Sequence, residues 1–327
     1  MNIEMINAAA TRLSNLVRCT PLLNSPVIDK LAGRRVWIKP ECLQITGSFK
    51  FRGAWSAISA LNPEVRTRGV VTFSSGNHAQ GVALAAQTFG APAIIVMPTD
   101  APQTKIMSTK KMGAEVILSD RDRKHQEQIV AELSSERGLT IIKPFDNAEV
   151  IAGQGTIGLE IAEQARKCGV TEAEVLICCG GGGLLSGIAL ALEAKAPRLQ
   201  CRSVEPQGFN DMARSIALGD YVRNMYTSGS ICDAILTPEP GKLTFPIIRR
   251  LCGSGLVVSD EDVLRAMVIA FEQLKLVVEP GGAVALAAIL FQISEIKGDD
   301  VICIISGGNV DAGVFVNALT QFGMEND

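Results

Sequence analysis

The sequence has few aromatic residues and no long apolar run, and both shortages exclude classes of protein. Of 327 residues only two are tryptophan and two tyrosine, and 31 basic residues nearly balance 34 acidic ones. The chain therefore lacks the positive field and the aromatic surface that nucleic-acid binding uses. The longest apolar run, 283–291, has nine residues, about half of the ~18–20 that a membrane-spanning helix needs. We expect a small-molecule partner, with neither nucleic acid nor membrane.

No Cys-x-x-Cys pair occurs among the nine cysteines, and the adjacent Cys178 and Cys179 lie in an apolar run that predicts a place in the core. This odd, scattered set favours a reducing compartment over a disulfide framework. The N-terminal segment contains an acid and no apolar stretch of signal-peptide length. We therefore expect a cytoplasmic protein.

Short β-branched segments alternate with segments of helical spacing along the chain. The predicted strands are 36–39, 70–73, 93–97, 115–118, 175–179, 202–204, 255–258 and 301–306. The predicted helices are 48–61, 77–89, 102–112, 150–168, 184–195 and 261–275. This alternation predicts an α/β fold with a mostly parallel sheet covered by helices on both faces. The length favours two domains, and because no composition break marks a linker, the second is expected as an insertion.

Four consecutive glycines follow a predicted strand directly. Gly180, Gly181, Gly182 and Gly183, here called the glycine turn, precede Leu184 at the start of a predicted helix. Glycine lets backbone amides converge on an anion at a helix N-terminus, where the helix dipole also favours negative charge. The turn lacks the Gly-Lys-Ser/Thr of a P-loop, which weakens an ATPase interpretation. The turn predicts a phosphate cradle; close packing of the strand on the helix is the alternative.

Lys50 lies between two phenylalanines near the start of a predicted helix. An apolar environment and a helix N-terminus both disfavour the ammonium form, and the free amine is nucleophilic toward an aldehyde. A solvated lysine is the alternative on this pattern alone.

A second turn, here called the serine-rich turn, consists of Ser74, Ser75, Gly76, Asn77 and His78. It follows a predicted strand and begins a predicted helix, so its hydroxyls and first-turn amides are suited to a carboxylate. A helix cap by Ser75 or Asn77 is compatible with that function. For His78 a structural role is favoured over that of a general base.

In this order the motifs resemble those of the fold type II (tryptophan synthase β-like) pyridoxal-phosphate enzymes. Within that family they resemble the threonine/serine dehydratase and serine racemase branch, which includes 3-hydroxyaspartate dehydratases. The matching segments are 18–22, 39–41, 46–54, 74–78, 151–156, 180–184, 279–280 and 306–309. They span nearly the whole chain.

The resemblance implies two open, mostly parallel twisted sheets flanked by helices. A small mobile domain, residues 68–144, would be inserted into a large domain, residues 1–67 and 145–327, and would close over the substrate. The resemblance also implies a homodimer. About twenty residues follow Ser306, so the C-terminal regulatory domain of biosynthetic threonine dehydratases is not expected.

The resemblance implies pyridoxal 5'-phosphate as the cofactor. Lys50 would hold it as a Schiff base, and the glycine turn with Leu184 would bind its phosphate. Asn77 would contact the ring hydroxyl, and Ser306 would face the pyridine nitrogen. Phe49 and Glu279 complete the expected cofactor-binding set, and the serine-rich turn would hold the substrate carboxylate.

A serine is far too weak an acid to keep the pyridine nitrogen protonated, so the ring is a modest electron sink. This favours loss of a β-leaving group over transamination, with Lys50 as the general base that takes the α-proton. The predicted activity is a carbon–nitrogen lyase reaction, in which an ammonia-lyase (dehydratase) converts a small β-hydroxy amino acid to a 2-oxo acid and ammonia. The candidate substrates are L-threonine, L-serine and 3-hydroxyaspartate.

Ser75 favours a second activity. In the resemblance, racemases place a serine here as a catalytic residue on the cofactor face opposite the lysine, so an amino-acid (serine) racemase is the alternative. β-Replacement is less expected, because those relatives usually have Thr-Ser-Gly-Asn-Thr at this turn. A non-catalytic binding protein would be expected to lack Lys50 or the glycine turn, and both are present.

Glu205, the Phe209 carbonyl and Asp211 match the ligands that bind magnesium or calcium in serine-racemase-like enzymes. Hard divalent cations prefer such oxygen ligands; solvated acids in a surface loop are the alternative.

Arg123 aligns with an arginine that in racemase-like relatives meets a second carboxylate. A charge-assisted pair there would select a 3-hydroxyaspartate-like substrate over threonine. A solvated arginine in the charged run 119–123 is the alternative. The segment Cys232-Asp233-Ala234 replaces the family's usual Ala-Asp-Gly near the substrate pocket, which also argues against assuming threonine or serine.

Overall fold

The computed structural model describes residues 1–101, 103–120 and 122–323. The strands are β1 (Leu23–Asn24), β2 (Arg35–Pro40), β3 (Val70–Phe73), β4 (Ala93–Pro98), β5 (Glu115–Ser119), β6 (Thr140–Ile141), β7 (Ala173–Cys178), β8 (Leu199–Pro206), β9 (Leu256–Val258) and β10 (Asp300–Ile305). The helices are α1 (Ile3–Leu13), α2 (Pro26–Ala32), α3 (Lys50–Ser59), α4 (Pro63–Arg68), α5 (Asn77–Thr88), α6 (Gln103–Lys111), α7 (Arg123–Arg137), α8 (Ala148–Lys167), α9 (Gly183–Lys195), α10 (Asp211–Leu218), α11 (Thr244–Leu251), α12 (Asp260–Leu274), α13 (Pro280–Phe291) and α14 (Ala312–Phe322). Pro102, in a predicted helix, and Arg121, in the charged run, lie outside the described residues.

The larger sheet has the strand order β1-β2-β10-β7-β8-β9 and is parallel except for β1. Its central strand β10 is buried at every residue, as expected of a parallel strand covered on both faces. Cys303 of β10 pairs with Ile38 of β2 on one side and with Leu176 of β7 on the other. Helix α13 packs against β7 and β10, and α9 packs against β8.

The smaller sheet has the strand order β5-β4-β3-β6 and is entirely parallel. Its strands lie between β2 and β7 in the chain, so this unit is an insertion into the larger one. The predicted α/β class with two mostly parallel sheets is therefore confirmed.

Helix α3 connects the two units. Its Phe51 and Trp55 belong to the same apolar cluster as Val82 of α5, and α3 also packs against α8. A Cβ at Gly81 of α5 would lie 3.2 Å from the backbone of Lys50, so glycine permits the close approach of α5 to the start of α3.

Three of the predicted motifs lie at carboxyl ends of parallel strands, and Lys50 begins α3 ten residues after the end of β2. The serine-rich turn follows β3, the glycine turn follows β7, and Ser306 follows β10. Because these ends face one another, residues far apart in sequence surround a common space. Among the helices of the described residues, none is long and apolar enough to cross a membrane.

Candidate active site

A cavity of about 260 Å³ lies where the carboxyl edges of the two sheets meet. It is lined by every residue predicted for the cofactor or the substrate: Phe49, Lys50, Ser74, Ser75, Gly76, Asn77, His78, Arg123, Gly180, Gly181, Gly182, Gly183, Leu184, Glu279 and Ser306. The predicted metal ligands do not line it. Sequence reasoning missed several other lining residues, among them Lys105, Phe145, Gln154, Cys178 and Thr237.

Lys50 is the first residue of α3 and points into this cavity. Its Nζ donates a hydrogen bond to the Pro144 carbonyl at 2.9 Å and lies 5.2 Å from the centre of the Phe49 ring. Burial lowers the pKa of Lys50 to about 8. An appreciable fraction of the amine is therefore uncharged near neutral pH and available as a nucleophile or a base.

The glycine turn has no room for side chains. A Cβ at Gly181 would overlap the Phe145 ring, and a Cβ at Gly183 would lie 2.9 Å from the Cβ of Phe145. Gly182 has φ +90°, a conformation that other residues rarely adopt. With the first amides of α9 at the cavity wall and no acidic residue in the first turn, the turn fits a phosphate group.

Asn77 is held in one orientation by two contacts. Its Nδ2 donates to Glu279 Oε1 at 2.6 Å, and its Oδ1 accepts from Asn309 Nδ2 at 2.7 Å. Burial raises the pKa of Glu279 to about 7. The amide is thereby positioned before any ligand binds.

His78 is neutral and has a structural contact. Its Nε2 lies 2.9 Å from the Ile142 carbonyl, so Nε2 has the proton and Nδ1 is an acceptor. Burial, with the charge of Lys50, lowers the pKa of His78 to about 3. A neutral ring with this tautomer cannot donate from Nδ1 to a carboxylate, so a carboxylate at the serine-rich turn would be bound by its hydroxyls and backbone amides.

Ser306 and Cys178 form an uncharged pair at the ends of β10 and β7. The Ser306 hydroxyl hydrogen-bonds the Cys178 thiol, and burial raises the pKa of Cys178 to about 11. The thiol predicted as core is indeed buried, but it also lines the cavity. Its position two residues before the glycine turn, at the end of a predicted strand, is the signal by which the sequence could have revealed this.

Two cations line the cavity from the smaller unit. The Arg123 guanidinium lies 5.5 Å from the ring centres of both Phe73 and Phe145, and its Nε lies 3.0 Å from Glu127 Oε1. The Lys105 ammonium lies 3.8 Å from the nearest carboxylate oxygens of two aspartates, Asp233 and Asp311. This wall suits an anionic group of a ligand.

Glu205 and Asp211 lie outside the cavity and are fully buried, which contradicts the alternative of solvated acids in a surface loop. The Glu205 carboxylate accepts hydrogen bonds from the amides of Met212 and Ala213 at 2.9 and 2.7 Å. Asp211 Oδ1 accepts from Asn224 at 2.6 Å, whereas the buried Oδ2 has no hydrogen-bond partner within residues 1–101, 103–120 and 122–323. Burial and the neighbouring Asp211 raise the pKa of Glu205 well above its ordinary value.

These two carboxylates and a backbone carbonyl are oxygen donors of the kind that hard cations prefer. In the part of the chain that the structure describes, no group of three or more His, Cys, Asp or Glu side chains forms a metal site. A cation there would thus depend on backbone and water ligands as well.

Comparison with known families gives one match over most of the chain. A family profile described as "Pyridoxal-phosphate dependent enzyme" matches residues 13–307. The L-threo-3-hydroxyaspartate ammonia-lyase of a Pseudomonas species is 43% identical over 95% of this chain and 96% of its own length. The serine racemase of Schizosaccharomyces pombe is 41% identical over 97% of this chain and 96% of its own. The L-threonine ammonia-lyase of Thermotoga maritima is 40% identical over 96% and 77%.

Solved structures of similar proteins agree with these matches. A threonine deaminase from T.th. superposes with a TM-score of 0.89 at 42% identity, covering 95% of this chain and 99% of its own. Maize serine racemase superposes with a TM-score of 0.90 at 37% identity, covering 98% and 97%.

Proposed function

Because the chain belongs to the family of pyridoxal-phosphate-dependent enzymes, we propose how its own residues serve an ammonia-lyase reaction and which substrate they select. The enzyme is a pyridoxal-phosphate-dependent ammonia-lyase of β-hydroxy amino acids, as the match to threonine and hydroxyaspartate ammonia-lyases indicates. We propose that 3-hydroxyaspartate is the preferred substrate. The supporting observation is that Arg123 and Lys105 line the same cavity as the two anion-binding turns.

The cavity fits the cofactor. When bound there, pyridoxal phosphate withdraws electrons from the substrate's α-carbon. The glycine turn would bind its phosphate, and Asn77, oriented by Glu279 and Asn309, would hold its ring. Lys50 would attach covalently and, once released, take the α-proton at Nζ, because its lowered pKa leaves the amine partly free. The uncharged Ser306–Cys178 pair would leave the pyridine edge without an acid.

The substrate would be held at two ends. The hydroxyls and amides of the serine-rich turn would bind the α-carboxylate at the N-terminus of α5. The Arg123 guanidinium, stacked against Phe73 and Phe145, would bind a β-carboxylate in a charge-assisted pair. A threonine methyl group at that position would leave the arginine without this partner.

The proposed function is tested by supplying 3-hydroxyaspartate, L-serine and L-threonine and identifying the product. We expect ammonia with oxaloacetate, pyruvate and 2-oxobutyrate respectively, with the highest kcat/KM for 3-hydroxyaspartate. Chiral analysis of unreacted serine tests the racemase alternative that Ser75, another cavity residue, favours. Racemisation without ammonia would overturn the lyase assignment, and a preference for threonine would overturn the substrate assignment.

Attachment of the cofactor to the apoprotein should depend on pH through Lys50. Only the uncharged amine attacks the aldehyde, and burial lowers the pKa of Lys50 to about 8. We expect the attachment rate, followed by visible absorbance after mixing, to rise with pH with a midpoint near 8. A midpoint near the ~10.4 of a solvated lysine would contradict the burial effect.

We further propose that Glu205, the Phe209 carbonyl and Asp211 bind a divalent cation, magnesium or calcium. Asp211 Oδ2 supports this, because it is buried and has no hydrogen-bond partner among the residues that the structure describes, and such atoms are rare unless a ligand or water satisfies them. Chelation with EDTA should lower the Tm of the wild type by about 3–8 °C, and Mg²⁺ or Ca²⁺ should restore it.

Asp211→Asn should abolish this response, while Asp233→Asn, at a mostly exposed aspartate, should respond like the wild type. Equal cation-dependent shifts in Asp211→Asn and wild type would refute the site.

We propose that residues 68–144 form the smaller domain, which would close over the substrate by sliding α5 along α3. A smaller radius of gyration in the presence of a bound substrate analogue tests this closure.

We also propose a homodimer, supported by the exposed apolar side chains of Phe271 and Val316. Light scattering should then give twice the 34.7 kDa of the chain.

The nine free thiols support the cytoplasm as the compartment of this protein, because disulfides are rare there.

A further inference from the structure

The glycine turn is fixed from outside by a distant segment of the chain, residues 241–244. The Thr244 hydroxyl donates to the Gly181 carbonyl at 2.6 Å, and the Gly241 amide donates to the same carbonyl at 3.2 Å. The segment is itself held, because the Leu243 amide donates to Asp146 Oδ1 at 2.7 Å. Thr244 is fully buried and is not among the residues that line the cavity.

The Gly181 carbonyl determines where the next amide points. In a trans peptide the carbonyl of one residue and the N–H of the next lie on opposite sides of the chain. With the Gly181 oxygen bound to Thr244 on the side away from the cavity lining, the Gly182 N–H is directed to the other side. The Gly182 carbonyl needs no such support, since it accepts from the Ser186 amide within α9 at 2.9 Å.

Without the Thr244 hydroxyl, the longer bond from the Gly241 amide would be the one remaining hydrogen bond of the Gly181 carbonyl within the described part of the chain. A peptide between two glycines rotates at low cost, because neither residue has a Cβ to restrict it. Rotation would turn the Gly181 oxygen, with its partial negative charge, toward a bound phosphate in place of a donor.

We propose that Thr244 is a positioning residue for the cofactor phosphate: its hydroxyl sets the 181–182 peptide so that the Gly182 amide faces the anion. The inference rests on the proposed cofactor site and does not depend on which amino acid is the substrate.

The test compares Thr244→Val, which removes the hydroxyl at nearly constant volume, with Thr244→Ser, which keeps it. Apoprotein affinities are measured for pyridoxal phosphate, for pyridoxal without phosphate, and for inorganic phosphate as a competitor. In Thr244→Val we expect the Kd for pyridoxal phosphate and for phosphate to rise roughly five- to tenfold, as for a lost hydrogen bond. Pyridoxal should bind unchanged, and Thr244→Ser should stay within about twofold of wild type.

A merely structural role would weaken pyridoxal and pyridoxal phosphate equally, and that result, like an unchanged phosphate affinity, would overturn the proposal. Thr244→Ala provides the same comparison if the valine variant does not fold, because it adds no methyl group against the Gly181 carbonyl. A wild-type protein that binds no pyridoxal phosphate would refute the proposed function itself. Cofactor binding that is insensitive to Thr244 would refute this inference alone.

Discussion

Lys50→Ala should abolish both the visible absorption of the cofactor-loaded protein and its ammonia-lyase activity. The variant removes the amine that attaches to the cofactor and the base that takes the α-proton, so turnover should fall by more than about 10³-fold. Absorbance spectra after dialysis against pyridoxal phosphate and an ammonia assay measure the two effects.

Lys105→Ala is the matched control, because Lys105 also lines the cavity. Its ammonium faces Asp233 and Asp311, and the variant should keep the visible band. A band retained in Lys50→Ala, or lost equally in both variants, would show that another group holds the cofactor.

Arg123→Met should change the substrate preference more than it changes catalysis. Loss of a charge-assisted pair costs about 1.5–3 kcal/mol, so kcat/KM for 3-hydroxyaspartate should fall roughly 10- to 150-fold. L-Serine has no β-carboxylate, and its kcat/KM should change less than about threefold. The ratio of the two values, measured by the 2-oxo acids formed, reports the effect of Arg123 directly.

Glu127→Gln is the control for Arg123. It removes the charge that pairs with the guanidinium at 3.0 Å and leaves the arginine in place, so the preference for 3-hydroxyaspartate should be kept or increased. An equal loss with both substrates in Arg123→Met would assign the arginine to the packing of Phe73 and Phe145 and not to recognition.

The strands of the parallel sheets were predicted better than the helices, because burial leaves a recognisable sequence pattern in a strand but can remove it from a helix. Strands buried on both faces are continuous β-branched runs, and the prediction for 70–73 coincides with β3. Helix α13 is apolar on all sides because Pro280 to Leu290 are all buried, so it has no helical periodicity to detect. Strand β6 has two residues and forms only through its pairing with β3.

Helix α7 was missed for the opposite reason, because few of its residues are buried. Within Arg123–Arg137 the buried residues are Gln126, Val130 and Leu133, a narrow stripe in a highly charged segment. No helix was predicted for this segment, since the charged run 119–123 reaches only its first residue, and the small sheet supplies the surface that this stripe covers.

Local chemistry was determined by the sequence alone: an amine between aromatic side chains, a run of four glycines before a helix, and a hydroxyl-rich helix start, because each depends on neighbours along the chain. Tertiary structure alone decided which distant groups join them. Cys178 contacts Ser306 because parallel strands end at a common edge. Thr244 contacts Gly181 because the start of α11 packs against the glycine turn. The tertiary structure also determines that Glu205 and Asp211 are buried, since the solvation of a carboxylate depends on what covers it and not on its neighbours in sequence.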